Sequence, residues 1–162
     1  NRGSFFRPEI GDEVILGFMN DDPRDPIILG MLNSSAKPAP IAAADDNHEK
    51  GFVTRSGIKL IFNDDEISVT IETPGGNILV LSDDEKGITL TDQNKNAIEM
   101  TKDGIMLKSA KDLVLDAKGD IKIKGINVAQ EASAKFSAKG KAGADLTTDA
   151  IATIKGTLVK IN

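Results

Sequence analysis

From Ala132 to Leu158 the chain alternates almost without interruption between small or apolar and polar side chains. The even positions are Ala132, Ala134, Phe136, Ala138, Gly140, Ala142, Ala144, Leu146, Thr148, Ala150, Ala152, Ile154, Gly156 and Leu158, and none carries a charge. The odd positions hold Ser, Lys, Asp, Thr and Gly143, with Ile151 the single exception. Period two is the mark of a strand with one covered and one wet face. A helix is excluded, because steps of two residues turn a helix by about 200° and would scatter the even positions around its cylinder. The stretch is also far longer than the roughly 3 to 10 residues of an ordinary strand. It must be several short strands that keep phase through corners, for which Gly140, Gly143 and Gly156 are the natural residues. An inner face of Ala and Gly removes little apolar area at about 25 cal/mol per Å². Small side chains become useful where backbones approach closely, so the pattern asks for several copies of the chain wound about a shared axis.

The rest of the chain divides into three stretches. Residues 1–33 contain Val14, Leu16 and Phe18, then an apolar run from Ile27 to Leu32, separated by the turn-forming MNDDPRDP. These features predict a β-hairpin, which is marginal alone and expected to belong to a partial barrel. Residues 34–50 mix Pro, Ala and charge without periodicity and are expected to be a linker. From 51 onward come Ile58, Leu60 and Phe62, then paired apolar positions at Ile67/Val69, Ile78/Val80, Ile88/Leu90, Ile98/Met100, Ile105/Leu107, Leu113/Leu115 and Ile121/Ile123. Turn clusters such as PGGN, DDEKG and DQNKN separate them. Short strands repeated in this way predict a solenoid or β-helix in which no repeat is stable alone. The shift from Ile, Val and Leu to Ala and Gly near residue 132 predicts a cross-section that narrows toward the C-terminus.

Composition limits the chemistry. A net charge of -5 and a pI near 4.9 argue against nucleic acid as a partner. Without Cys there is neither a disulfide framework nor a thiolate site. No apolar run of about 18 residues and no signal-peptide pattern occur. Because the chain opens inside strand-like sequence, it is expected to be part of a longer protein. The sole histidine, His48, stands in the expected linker, and its neighbours Asp45, Asp46 and Glu49 match no zinc spacing. Asp64, Asp65 and Glu66, like Asp83, Asp84 and Glu85, fall between strands, where Asp is expected for backbone reasons. No credible catalytic triad or phosphate loop is present. Lys135, Lys139, Lys141 and Lys155 occupy the wet face and guard strand edges. No catalytic residue, cofactor or metal is expected.

The segment FFRPEIGDEVILGFMNDDPRDPIILGMLNS closely resembles the end of the OB-like domain of VgrG and related baseplate spikes of contractile phage tails, type VI secretion systems and extracellular injection systems. GIKLIFNDDEISVTIETPGGNILVLSDDEKGITLTDQNKNAIEM resembles the start of their trimeric β-helix, and TIKGTLVKIN their blunt terminus. The resemblance implies an all-β chain: a partial OB-like barrel at 1–33, a linker at 34–50 and a homotrimeric intertwined β-helix at 51–162. It implies a puncturing spike, assembled in the cytoplasm and ejected, with a PAAR-repeat protein on Thr157, Leu158, Val159, Lys160, Ile161 and Asn162. Hub, baseplate and inner-tube proteins, effectors and, transiently, a target membrane would be the other partners. Read together with the alternation, the trimer core is expected at Ile105, Leu107, Leu113, Leu115, Ile121, Ile123, Ala134, Phe136, Ala138, Ala142, Ala144, Leu146, Ala152 and Ile154. Two other readings stay open on the residues alone, a trimeric adhesin or tail-fibre stalk and a single-chain β-helix enzyme acting on polysaccharide.

Overall fold

The computed structural model describes residues 2–3 and 5–161. It is all-β, as expected, and its ladders are antiparallel. Strands β1 (Glu13–Phe18) and β2 (Pro26–Leu32) form the predicted hairpin. Asn20 and Asp21 turn the chain with φ of 50° and 59°, a left-handed conformation that Asn and Asp tolerate better than most residues. Asp22 and Arg24 pair across the same turn at 2.6 Å. The pairing passes from Ile15 opposite Gly30 to Leu16 opposite Ile28. Leu29 is therefore an extra residue on β2, a bulge of the kind that bends a hairpin into a barrel wall.

Residues 49–108 form a seven-stranded sheet in which each strand pairs with the next: β3 (Glu49–Val53), β4 (Lys59–Asn63), β5 (Ser68–Glu72), β6 (Ile78–Ser82), β7 (Gly87–Thr91), β8 (Ala97–Thr101) and β9 (Gly104–Lys108). The repeat seen in the sequence is thus realised here as an antiparallel meander. β3 takes in Glu49 and Lys50, two residues expected in the linker. The expected linker also has anchors: Ser34 Oγ donates to Glu13 at 2.8 Å, and Lys37 Nζ donates to the Gly11 carbonyl. Half-buried Ile41 lines a groove with Val53 and Ile61.

The turns along one edge of the sheet share a single construction. Thr54 Oγ1, Thr73 Oγ1 and Asp92 Oδ1 accept the backbone N–H of Ile58, Asn77 and Asn96 at 3.1, 3.3 and 2.9 Å. Each turn then places its fourth residue at positive φ, Gly57 at 84°, Gly76 at 88° and Lys95 at 69°. The three acceptors stand at a constant interval of 19 residues, 54 to 73 and 73 to 92. The unit of the repeat through β8 is therefore a hairpin whose connections alternate between five residues (54–58, 73–77, 92–96) and four (64–67, 83–86), while the β8–β9 connection has only two (102–103).

Leu115–Asn162 form a separate compact unit. Its described residues carry no strand ladder within the chain. Bends fall at 118–119, 126, 133–134, 141–142, 149–150 and 157, close to one every eight residues. The corners thus lie beside Gly140, Gly143 and Gly156 rather than on them. Because eight is even, an alternation of period two keeps the same parity from one bend to the next.

Candidate trimer-forming face

Register fixes which side chains of the sheet share a face. One cross-strand row runs Phe52, Leu60, Ile71, Leu79, Leu90, Ile98 and Leu107. Beside it runs a second, Lys50, Phe62, Val69, Leu81, Ile88, Met100 and Ile105. Except for Lys50 the whole face is apolar. The opposite face is mixed, with the row Gly51, Ile61, Thr70, Val80, Thr89, Glu99 and Met106 next to residues such as Lys59 and Glu72, which pair at 3.0 Å.

This assigns the pairs expected from sequence. Ile88/Leu90, Ile98/Met100 and Ile105/Leu107 lie on the apolar face as expected. Ile78 and Val80 do not: Leu79 and Leu81 take their place, because these are the residues opposite Ile71 and Val69. Ile67 is a turn residue with φ of 45°, and its expected pairing with Val69 is replaced by Val69 with Ile71. The sequence signal for β6 was ambiguous because ILVL is apolar at every position.

Among the described residues no hydrophobic side chain is buried within the single chain, and Ser82 alone of the polar ones is buried. Leu90 remains 46% exposed and Leu107 54%. Full burial of such a side chain contributes about 1.5 to 3 kcal/mol, so the sheet has a large stabilisation still to gain. Of the expected core, Ile105 and Leu107 are brought to the apolar face, and Leu113 joins Leu90, Ile98 and Leu107 around one groove. Leu115, Ile121, Ile123, Ala134, Phe136, Ala138, Ala142, Ala144, Leu146, Ala152 and Ile154 are exposed in the second unit. So are the expected tip residues Thr157, Leu158, Val159, Lys160 and Ile161, whereas Asn162 lies outside the described residues.

Polar groups serve the turns. The Asn96 side-chain amide, followed by its backbone N–H, holds the Asp92 carboxyl below the usual carboxylate range. Lys50 does the same for Asp64, as does Arg24 for Asp22. Asn63 Oδ1 accepts from the amides of Asp65 and Glu66 at 3.0 and 3.1 Å, and Ser82 Oγ from that of Glu85 at 3.0 Å. His48 is half-buried, its Nε2 3.9 Å from Asp46. Among the described residues no three acidic or histidine side chains gather to hold a metal ion.

An all-β chain that leaves one whole face of its sheet apolar and uncovered belongs to the class of β-proteins that assemble with other chains. Family models identify which: the phage baseplate V C-terminal trimerisation domain matches residues 68–162, and the type VI secretion system/phage-baseplate injector OB domain matches residues 1–32. The chain belongs to this baseplate family of VgrG-like spike proteins. Its trimerisation domain makes the homotrimer its assembly. No curated protein matches the chain.

Proposed function

We propose that three copies form the puncturing spike of a contractile injection machine, which transmits axial force from a contracting sheath into a target envelope. The single observation that carries this reading is the uninterrupted apolar face of β4 to β9, left open in one chain and lying largely within the trimerisation domain. The described residues beyond Ser109, which form no ladder within the chain, support it, since their backbone N–H and C=O groups need neighbouring strands to pair with. Copies of the same chain supply such strands, and shared hydrogen bonding between chains makes a stiff rod without exposed edges. In this reading the spike is assembled in the cytoplasm and ejected. Hub and inner-tube proteins adjoin its N-terminal side, effectors travel with it, and its contact with the target membrane is transient. A PAAR-repeat protein, which would bring its own metal, sits on the last residues.

The tip is where the even alternation ends. Leu158 is followed by apolar residues at the odd positions Val159 and Ile161, and a slip of one residue turns later side chains to the other face. Val159 and Ile161 are exposed, so three chains would present this apolar set three times on one end. Val159→Asp with Ile161→Asp is expected to leave the trimer intact by light scattering and to abolish pull-down of a PAAR-repeat protein. A trimeric double variant that still retains the PAAR protein would refute the docking surface.

A further inference from the structure

The matched trimerisation domain begins at residue 68, the first residue of β5. The apolar face does not stop there. It continues without a break through Leu60 and Phe62 on β4 to Phe52 on β3. Beyond β3 the next ring is Phe6, stacked on Phe52 with centroids 4.9 Å apart and planes 13° from parallel. Arg55, just past β3, holds the same N-terminal segment through a 2.8 Å ion pair with Glu9. The stack thus joins Phe6 to Phe52, the end of the row that includes Leu60 and Ile71. The stack satisfies neither ring, since Phe6 is 66% and Phe52 48% exposed.

We propose that the contact between copies extends N-terminally past the trimerisation domain to Phe6, and that three Phe6–Phe52 stacks meet to seal the N-terminal end of the shared apolar core. The occupant of the exposed aromatic faces is a second copy of this chain, because they continue an apolar face that runs through the trimerisation domain and that the trimeric reading gives to other copies. Offset-stacked aromatic pairs add about 0.5 to 1.5 kcal/mol beyond their area, and three stacks around one axis repeat that gain. The seal would also tie the OB segment to the spike by an aromatic contact, so that force passes through a packed joint and not only along the connecting residues 34–48. The inference rests on the trimeric reading above.

These 162 residues include no cysteine, so one introduced thiol reports its own neighbours. Phe6→Cys, Phe5→Cys and Leu90→Cys would each be made in the full chain, oxidised mildly and run on a non-reducing denaturing gel. Leu90→Cys, on the apolar face below, controls for the trimer itself. Phe5, the neighbour of Phe6 and 85% exposed, controls for chance collision. The expected result is a strong disulfide-linked dimer band for Phe6→Cys and Leu90→Cys and little for Phe5→Cys. If Leu90→Cys crosslinks and Phe6→Cys, still trimeric by light scattering, does not, the aromatic seal is wrong and the trimeric reading stands. A monomeric mass for the unmodified chain removes both. Should Phe6→Cys fail to assemble, Phe52→Cys replaces it with the same two outcomes.

Discussion

At the scale of single residues, the sheet depends on a few backbone positions that only certain side chains tolerate. Gly76 adopts φ of 88° with nothing within 4 Å of where a Cβ would stand, so a substitution there meets conformational strain alone. Left-handed backbone costs a non-glycine residue about 1 to 2 kcal/mol. Gly75, its neighbour, is not at positive φ, and an added Cβ would meet Gln93 Oε1 at 3.0 Å, the end of a side chain free to swing aside. Gly76→Ala is therefore expected to lower stability by about 1 kcal/mol per chain, while Gly75→Ala stays within about 0.5 kcal/mol of the parent. Denaturant unfolding of the two variants at equal protein concentration measures the difference, and equal midpoints would show that the turn does not need its glycine. This turn was legible, because PGGN between two apolar runs announces it. Its counterpart at Asp92 was legible only as a turn: Lys95 holds the same left-handed position at φ of 69°, and nothing in a lysine signals that.

At the scale of elements, strands with at least one polar residue among their central three or a clear outer pair could be phased from sequence, and β6, apolar at four consecutive positions, could not. In β7, Gly87–Thr91, the order GITLT leaves Ile88 and Leu90 as the only choice. In β6 the order ILVLS offers two sets, and the decision comes from neighbours, since Val69 and Ile71 face Leu81 and Leu79 across the ladder. Pairing is a relation between distant residues, so one strand's pattern cannot contain it. The hairpin turns were legible for the opposite reason, being written in five consecutive residues. The same register separates two adjacent substitutions. Leu81→Lys puts a charge on the face that other copies must cover, three times over, and is expected to abolish the trimer, because a buried unpaired charge costs several kcal/mol. Val80→Lys lies on the mixed face beside Thr70 and Thr89 and is expected to retain the trimer with a loss of about 1 kcal/mol. Sedimentation velocity distinguishes the two, and the reverse order of effects would mean that the apolar rows do not face other copies.

At the scale of the whole molecule, two ways of meeting the same need stand in sequence along one chain. Through β9 each strand finds its hydrogen-bond partner in a sequence neighbour of the same chain, and only the side-chain face is left for other copies. After Ser109 the described residues carry no backbone ladder in their own chain, so both backbone and side chains depend on assembly. That part should fold only as the trimer forms, and its rate of unfolding, more than its equilibrium stability, should govern its persistence. The regular bends make the dependence testable at one position. Ala138 and Lys139 lie in the straight segment between the bends at 133–134 and 141–142, clear of any corner, with Ala138 in the uncharged set and Lys139 in the wet one. Ala138→Glu would bring three carboxylates together in a space that close backbones leave dry, at a cost of several kcal/mol for each charge. It is expected to leave the sheet of β3 to β9 formed but the residues beyond Ser109 open to protease. Lys139→Glu reverses a solvated charge and is expected to leave cleavage as slow as in the parent, because an exposed charge contributes at most about 1 kcal/mol. Time courses of limited proteolysis with mass mapping decide between them. Equal protection of the two variants would mean that the even positions do not face the axis, and the alternation of residues 132 to 158 would need another cause.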